Sequence, residues 1–337
     1  MKQVKLGQAI TDYITWRAGV KQVAPMTLRG DKGTLSSLTK TLGDIYVHNI
    51  TEEHMAKWAA ANRGWAANTW NLALGRIGHF FDWCARARYL SRTADLLVAL
   101  STRKQVQKER IRVPANHFPQ LLDAAQVVHP RNRAVLATGL YLFLRSGELR
   151  SLNVADAQLS KGLMKTVIHK SGGIFDEMPI VAELDTELRN WLTTYSVSVG
   201  TELRPEWPLF PGLKYSIHWQ DKVHIAPEFR FGRAEQIAQD ALAEIGYAAE
   251  RGTREGMHTL RRSGARALFD RLCDDSYDGA LRLVQSMLHH ASSQTTEIYL
   301  GLNVDRHRRD SLLRGNKMFP TDATNVVELP LRKWAQW

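Results

Sequence analysis

Cysteine is scarce: Cys84 and Cys273 are the only two in 337 residues, and neither stands in a CxxC or other metal-ligand spacing. That excludes a disulfide framework and gives no zinc site to argue from. Long apolar runs are missing as well. No stretch approaches the roughly 18 uninterrupted apolar residues that a membrane span needs, and the opening MKQVKLGQAITDYI is amphipathic, without a signal-peptide core or a small-residue cleavage site. The chain is therefore expected in the cytoplasm, with no membrane partner. Internal repeats and low-complexity tracts are absent, as are a Walker motif, a Gly-rich nucleotide loop and a paired-carboxylate metal site.

What is abundant is positive charge, +11 overall with 44% apolar residues. The apolar fraction suffices for a core in each of about two domains of ordinary size. Residues 1–98 hold 13 Lys and Arg against 7 Asp and Glu, and residues 99–112 hold 5 against 1. Residues 113–301 hold 20 against 22, and residues 302–337 hold 7 against 4. The excess thus sits in the first third, the segment after it and the tail, a distribution that fits a polyanionic partner or a basic surface kept for solubility.

Residues 1–98 read as a small helical bundle. Leu6, Ile10, Tyr13 and Ile14 make one apolar stripe, and Trp70, Leu74, Ile77 and Phe81 make another. Between them, Thr27–Leu42 predicts a helix interrupted or started late by Gly30 and Gly33, and Thr51 caps a helix carrying Met55 and Trp58. Asn68, Thr69 and Arg76 lie off the stripe of the long helix, on a face that is either solvated or turned to DNA. Residues 99–112 read as a linker at the domain boundary, in which Lys104, Lys108, Arg110 and Arg112 are placed to follow phosphates. Further on, helices are expected at 118–125, 131–144, 234–247, 258–271 and 279–288. Leu163–His169 and Ile174–Ile180 flank KSGG as a β-hairpin. Residues 201–230 read as an inserted or irregular stretch, and the acidic CDDSYDG at 273–279 as another.

Three motifs carry chemistry. Arg145 ends the apolar run AVLATGLYLFL, and a guanidinium leaving a buried helix is costly unless it meets an anion; the carboxylate of Glu148 and an external anion both qualify. His258 and Arg261, in HTLRRSGAR, lie three apart and point to one side of a helix. In LHHASSQTTEIYL, His290 and Tyr299 stand nine apart across a Ser/Thr-rich break that one clean helix does not span.

In their order and spacing these pieces resemble the active-site signature of the tyrosine site-specific recombinases, the group that includes phage integrases and Xer-type resolvases. The resemblance covers roughly 113–301 by motif and, more loosely, 1–98. It implies a mainly α fold with a small antiparallel β-sheet, built as a helical core-binding (DNA-clamp) domain, 1–98, and a catalytic domain, 113–301. It also implies that Arg145 and Arg261 clamp the scissile phosphate, that Lys170 protonates the leaving 5′ oxygen, that His258 takes the phenol proton, that His290 holds or orients the phosphate, and that Tyr299 attacks phosphorus. No metal or other cofactor takes part. Lys161 and Lys165 are the rivals of Lys170. The family usually has Gly where this chain has His289, which leaves open which histidine enters the site. The implied partners are double-stranded DNA core sites with inverted repeats, a homo-tetramer on synapsed DNA with a Holliday-junction intermediate, and an optional DNA-bending accessory protein. Residues 302–337 either dock on a neighbouring subunit or form a solvated end. The leading expectation is an integrase; a replicon-dimer resolvase, a non-catalytic DNA-binding regulator and a relaxing topoisomerase are the alternatives.

Overall fold

Residues 5–86 fold as the stripes require. In the computed structural model, which describes residues 2–91, 95–98, 100–105, 110–168, 173–215, 223–247 and 255–302, four helices bury one face each. They are α1 (Leu6–Gly19), α2 (Pro25–Leu42), α3 (Glu52–Ala61) and α4 (Ala67–Arg86). Leu6, Ile10 and Tyr13 of α1 meet Leu35 and Leu38 of α2, Met55 and Trp58 of α3, and Trp70, Leu74, Ile77, Phe80 and Phe81 of α4. The tryptophans are core: Trp58 stacks on Trp70 at 5.4 Å between ring centres. Thr51 caps α3 as expected, in a reciprocal arrangement with His54.

Two readings of this unit need correction. Helix α2 is neither interrupted nor late: Pro25, with its φ preset for a helix, opens it, and it runs through both glycines. Gly30 is instead a point of close approach, because a methyl group there would collide with the guanidinium of Arg76. That guanidinium is committed inward. Asp31, 2% exposed, lies 3.2 Å from Nε of Arg76 and 3.3 Å from Nε of Arg17, so Arg76 serves an internal ion pair rather than the solvated or DNA-facing surface expected of it. Asn68 and Thr69 are exposed at the start of α4.

The chain divides into two compact units at 108/109, inside the segment read as a linker. The start of that segment lies on the first unit: Nε1 of Trp70 donates to the carbonyl of Ser101 at 2.9 Å, Asn71 pairs with the backbone of Arg103, and the Arg103 guanidinium covers the Trp70 ring at 4.0 Å. Its end lies on the second: the Val113 N–H donates to Oγ of Ser263, and Arg262 donates to the carbonyl of Ile111. Lys104 and Arg110 are exposed and Arg112 is half-buried. Lys108 lies outside the described residues, as do 303–337 of the tail.

In the second unit, α5 (Phe118–Val128) and α8 (Ala182–Val199) pack with the central helix α6 (Pro130–Tyr141), which is buried on every side from Ala134 to Leu140. After α7 (Ser146–Ser151) comes a three-stranded antiparallel sheet, β1 (Ala157–Gln158), β2 (Leu163–Ile168) and β3 (Ile174–Pro179). The expected hairpin is its β2–β3 pair, in register from Leu163 opposite Pro179 to Ile168 opposite Ile174. The stretch 201–230 is more regular than expected. It contains an antiparallel pair, β4 (Pro211–Tyr215) and β5 (Val223–Arg230), whose pattern is broken by a register shift at Pro211/Gly212 and by Pro227 within the strand. Helices α9 (Ala234–Glu244), α10 (Met257–Leu272), α11 (Tyr277–Leu288) and α12 (Ser293–Leu300) complete the unit. CDDSYDG is no insertion but a short turn in which Ser276 caps α11. The result is mainly α with small antiparallel sheets, as expected, and no described helix is long and apolar enough to cross a membrane.

Gly264 lets α10 press against the end of α6: a methyl group there would overlap the carbonyl oxygen of Leu140 and stand 2.8 Å from Cε1 of Phe143. Gly33, by contrast, faces open space inside α2. Urea unfolding followed by circular dichroism is expected to show Gly264→Ala destabilised by about 1–3 kcal/mol through overpacking. Gly33→Ala is expected to gain roughly 0.5–1 kcal/mol from helix propensity. An unchanged midpoint for Gly264→Ala would contradict the close approach.

Candidate active site

The end of α6 sets the first arginine. Leu142–Leu144 remain buried, but Phe143 adopts φ +51°, which turns the chain and brings Arg145 out at the cap of α7. There the anion it needs is internal: its Nη1 lies 2.7 Å from Oε1 of Glu148, and its backbone N–H donates to Oε2 at 2.8 Å. Glu148 is 2% exposed, and Oε2 also faces Arg261 at 3.6 Å.

Arg261 is the most deeply buried cation among the described residues of the unit, 1% exposed. The α10 helix carries it to a point between two chain ends, where Nη1 donates to the carbonyl of Phe143 and Nη2 to that of Leu288 at 2.7 Å. Burial pulls its pKa down, and the proximity of Tyr299 and Glu148 opposes that pull. Two guanidiniums thus share one carboxylate, so the site keeps a net positive charge where solvent is scarce.

The phenol of Tyr299 closes the site. Thr296 of α12 is buried and Ser292 caps the helix, so the half-buried Tyr299 returns toward α10. Its hydroxyl donates to the carbonyl oxygen of His258 at 3.5 Å and lies within hydrogen-bonding reach of Arg261. Burial raises the phenol pKa, while Arg261, Arg262 and Arg145 each pull it down without reversing the shift. The group is therefore protonated at neutral pH and depends on a nearby acceptor to become a nucleophile.

His258, in the first turn of α10, offers that phenol its backbone carbonyl and carries its imidazole on the same turn. Its imidazole pKa lies below the ordinary value: desolvation lowers it, Glu235 opposes, and Arg261, Arg262 and Arg145 lower it further. It is neutral at pH 7 and able to take a proton. Glu235 of α9 also receives the Met257 N–H at 2.9 Å. Sequence reasoning missed Glu235, because no motif joins two residues 23 positions apart.

The two histidines of LHH diverge. His290 packs edge-on against the Tyr299 ring at 5.3 Å between ring centres, and its Nδ1 lies 3.1 Å from Oγ1 of Thr296. His289 turns away, with φ +53°, to place Nε2 2.7 Å from Oδ2 of Asp176 on β3. Arg145, His258, Arg261, His290 and Tyr299 are thus brought together, with Glu148 between the arginines. Lys170 lies outside the described residues. Of its rivals, Lys161 is exposed and Lys165 covers the Phe175 ring at 5.2 Å.

The site thus sets two guanidiniums and two imidazoles around a half-buried phenol, and comparison with known proteins shows the family. Residues 112–306 match the phage integrase family. The chain is 26% identical over 314 residues to the tyrosine recombinase XerC of Haemophilus ducreyi, covering 90% of this chain and 92% of that protein. It is 22% identical over 256 residues to the tyrosine recombinase XerA of Pyrococcus furiosus, covering 75% and 76%. Among solved structures, the fold is similar to a lambda integrase dimer bound to a COC′ core site, with a TM-score of 0.67, 15% identity, and coverage of 89% of this chain and 78% of that one. XerH bound to a palindromic difH substrate matches with a TM-score of 0.61, 17% identity, and coverage of 86% and 80%. Matched over most of its second unit, this chain belongs to the phage integrase family of tyrosine recombinases.

Proposed function

We propose that this protein cuts and rejoins double-stranded DNA at specific sites through a 3′-phosphotyrosyl intermediate. The observation that carries this reading is that Arg145 and Arg261 share the single carboxylate of Glu148 beside the Tyr299 phenol. A phosphodiester supplies the missing negative charge, its non-bridging oxygens taking the guanidinium N–H groups that Glu148 leaves unused. Those contacts strengthen as charge builds on the pentacoordinate phosphorus, which makes them catalytic rather than merely adhesive.

In the proposed reaction the Tyr299 oxygen bonds to phosphorus, its proton passes to His258, and the bond from phosphorus to the 5′ oxygen breaks. Lys170 gives the departing oxygen its proton, and His290 orients the phosphate. The energy of the broken diester stays in the phosphotyrosyl bond, so a 5′ hydroxyl from a second strand reverses the steps and completes the exchange. Four subunits on two paired inverted-repeat sites carry out two such exchanges through a Holliday junction. Lys104, Lys108, Arg110 and Arg112 follow the backbone phosphates, and Asn68 and Thr69 belong to the DNA-facing surface of the first domain. We read the biological role as integration of a mobile element; the Xer names of the relatives favour resolution of replicon dimers as the second reading.

A suicide substrate nicked near the cleavage point tests the chemistry. Wild type is expected to form a covalent protein–DNA adduct, and Tyr299→Phe none; an adduct that survives the substitution removes Tyr299 from its role. The same substrate placed in a circular plasmid with two sites separates the biological readings by whether deletion of the intervening DNA or joining of two circles predominates.

The pH dependence follows from His258. Because its pKa is lowered in the folded protein, the imidazole remains an acceptor through neutral pH and is lost only as the pH falls below the ordinary imidazole value of about 6.5. Adduct formation at subsaturating DNA is expected to hold steady from pH 8 to 7 and to fall on the acid side below about 6.5, and His258→Gln is expected to lose about 10²–10⁴-fold together with that acid limb. An acid limb that persists unchanged in His258→Gln assigns the proton to another group.

A further inference from the structure

We propose that His289 and Asp176 are a positioning pair that holds the β2–β3 hairpin against the turn carrying His290 and Tyr299, and that the pair serves protonation of the leaving 5′ oxygen. This rests on the reading of the protein as a phosphotyrosyl-forming enzyme.

The first observation is conformational. His289 caps α11 in the left-handed region, φ +53° and ψ +44°, where glycine is the residue of least strain and where the similar family usually has it. A side chain kept at such a position needs a compensating contact, and this one has it: Nε2 donates to Oδ2 of Asp176 at 2.7 Å. The imidazole is largely covered, with 17% of its surface exposed, while Asp176 retains 45%. The other oxygen of Asp176 accepts the Glu177 N–H at 2.9 Å, which fixes the carboxylate toward the histidine.

The second observation is what the bond connects. Asp176 stands on β3 opposite Thr166 of β2, and Thr166 is buried. From that rung two more pairs, Val167 with Phe175 and Ile168 with Ile174, lead along the ladder to the connection that carries Lys170 in the sequence. On the other side, His290 follows His289 directly and sets its ring against Tyr299. The left-handed turn sends the two neighbouring imidazoles in opposite directions, one to the hairpin and one to the nucleophile. The β2–β3 hairpin and the Tyr299 ring are therefore tied by one hydrogen bond, one peptide unit and one ring contact. Lys165, the other basic residue near this rung, is engaged with the Phe175 ring, so Asp176 faces His289 without a competing contact from it.

A bond that only stabilised the fold would affect every cleavage alike; one that positions the proton donor affects only a leaving group that needs a proton. The test is single-turnover adduct formation on two suicide substrates, one with the ordinary 5′ oxygen at the scissile phosphate and one with sulfur in its place. With sulfur, the tyrosine oxygen bonds to phosphorus, the phosphorus–sulfur bond breaks, and the thiolate leaves unprotonated. His289→Gly, which suits the backbone, and Asp176→Ala are each expected to slow the oxygen substrate by about tenfold or more while keeping the sulfur substrate within about threefold of wild type. The double substitution is expected to cost no more than either alone. His289→Gln, whose amide can donate to Asp176, is expected to recover most of the loss. Equal slowing of both substrates by His289→Gly, or no slowing of the oxygen substrate, overturns the proposal. Lys170→Ala, run alongside, separates the two levels: sulfur rescue of His289→Gly without rescue of Lys170→Ala keeps the coupling and removes Lys170 as the proton donor. Rescue of Lys170→Ala alone keeps the donor and refutes the coupling.

Discussion

The buried guanidinium of Arg261 is the constraint on which the second unit is organised. Taking such a charge out of water costs on the order of several kcal/mol unless its donors are met, and here they are met by groups from three separate places in the chain. The carbonyl of Phe143 comes from the end of α6, the carbonyl of Leu288 from the end of α11, and the carboxylate of Glu148 from α7. The two carbonyls are available because helices end there and leave their last carbonyls without intrahelical partners. The same atoms that make burial tolerable therefore fix where α7 begins and where the turn to α12 begins, and so where Arg145 and Tyr299 emerge.

The left-handed residues at Phe143 and His289 belong to the same logic. Both follow the end of a helix and both are non-glycine. Each turns the backbone sharply, so that a carbonyl points back at Arg261 while the next functional side chain, Arg145 after one and His290 after the other, is delivered to the site. Gly264 allows α10 to come close enough for the arginine to reach both carbonyls. The arrangement is over-determined by packing, which is the condition for strained conformations to persist.

Much of this was legible in the sequence where a short period governs it. The i, i+3 spacing of His258 and Arg261 and the apolar run before Arg145 are local patterns, and the helices carrying them lie within a few residues of expectation. What was not legible depends on partners far away in the chain. Arg76 reads as a polar residue on an amphipathic helix, and only the packing of α2 on α4 reveals that Asp31 waits for it. Gly30 reads as a helix breaker for the same reason, since the guanidinium it accommodates is 46 positions away. The β4–β5 pair escaped notice because Pro211, Gly212 and Pro227 break the alternation that marks a strand. Glu148 was visible as a partner for Arg145, but its second role, between the two arginines, needed the fold.

The shared carboxylate also explains how Arg261 and Arg145 are tolerated side by side. One carboxylate cannot balance two guanidiniums, but it meets Nη1 of Arg145 at 2.7 Å and faces Arg261 at 3.6 Å, so both gain from it. Removing Glu148 would leave Arg261 buried with carbonyl dipoles alone. At Tyr299, burial outweighs even the three nearby guanidiniums of Arg261, Arg262 and Arg145, so the phenol pKa stays raised and the group is protonated at neutral pH.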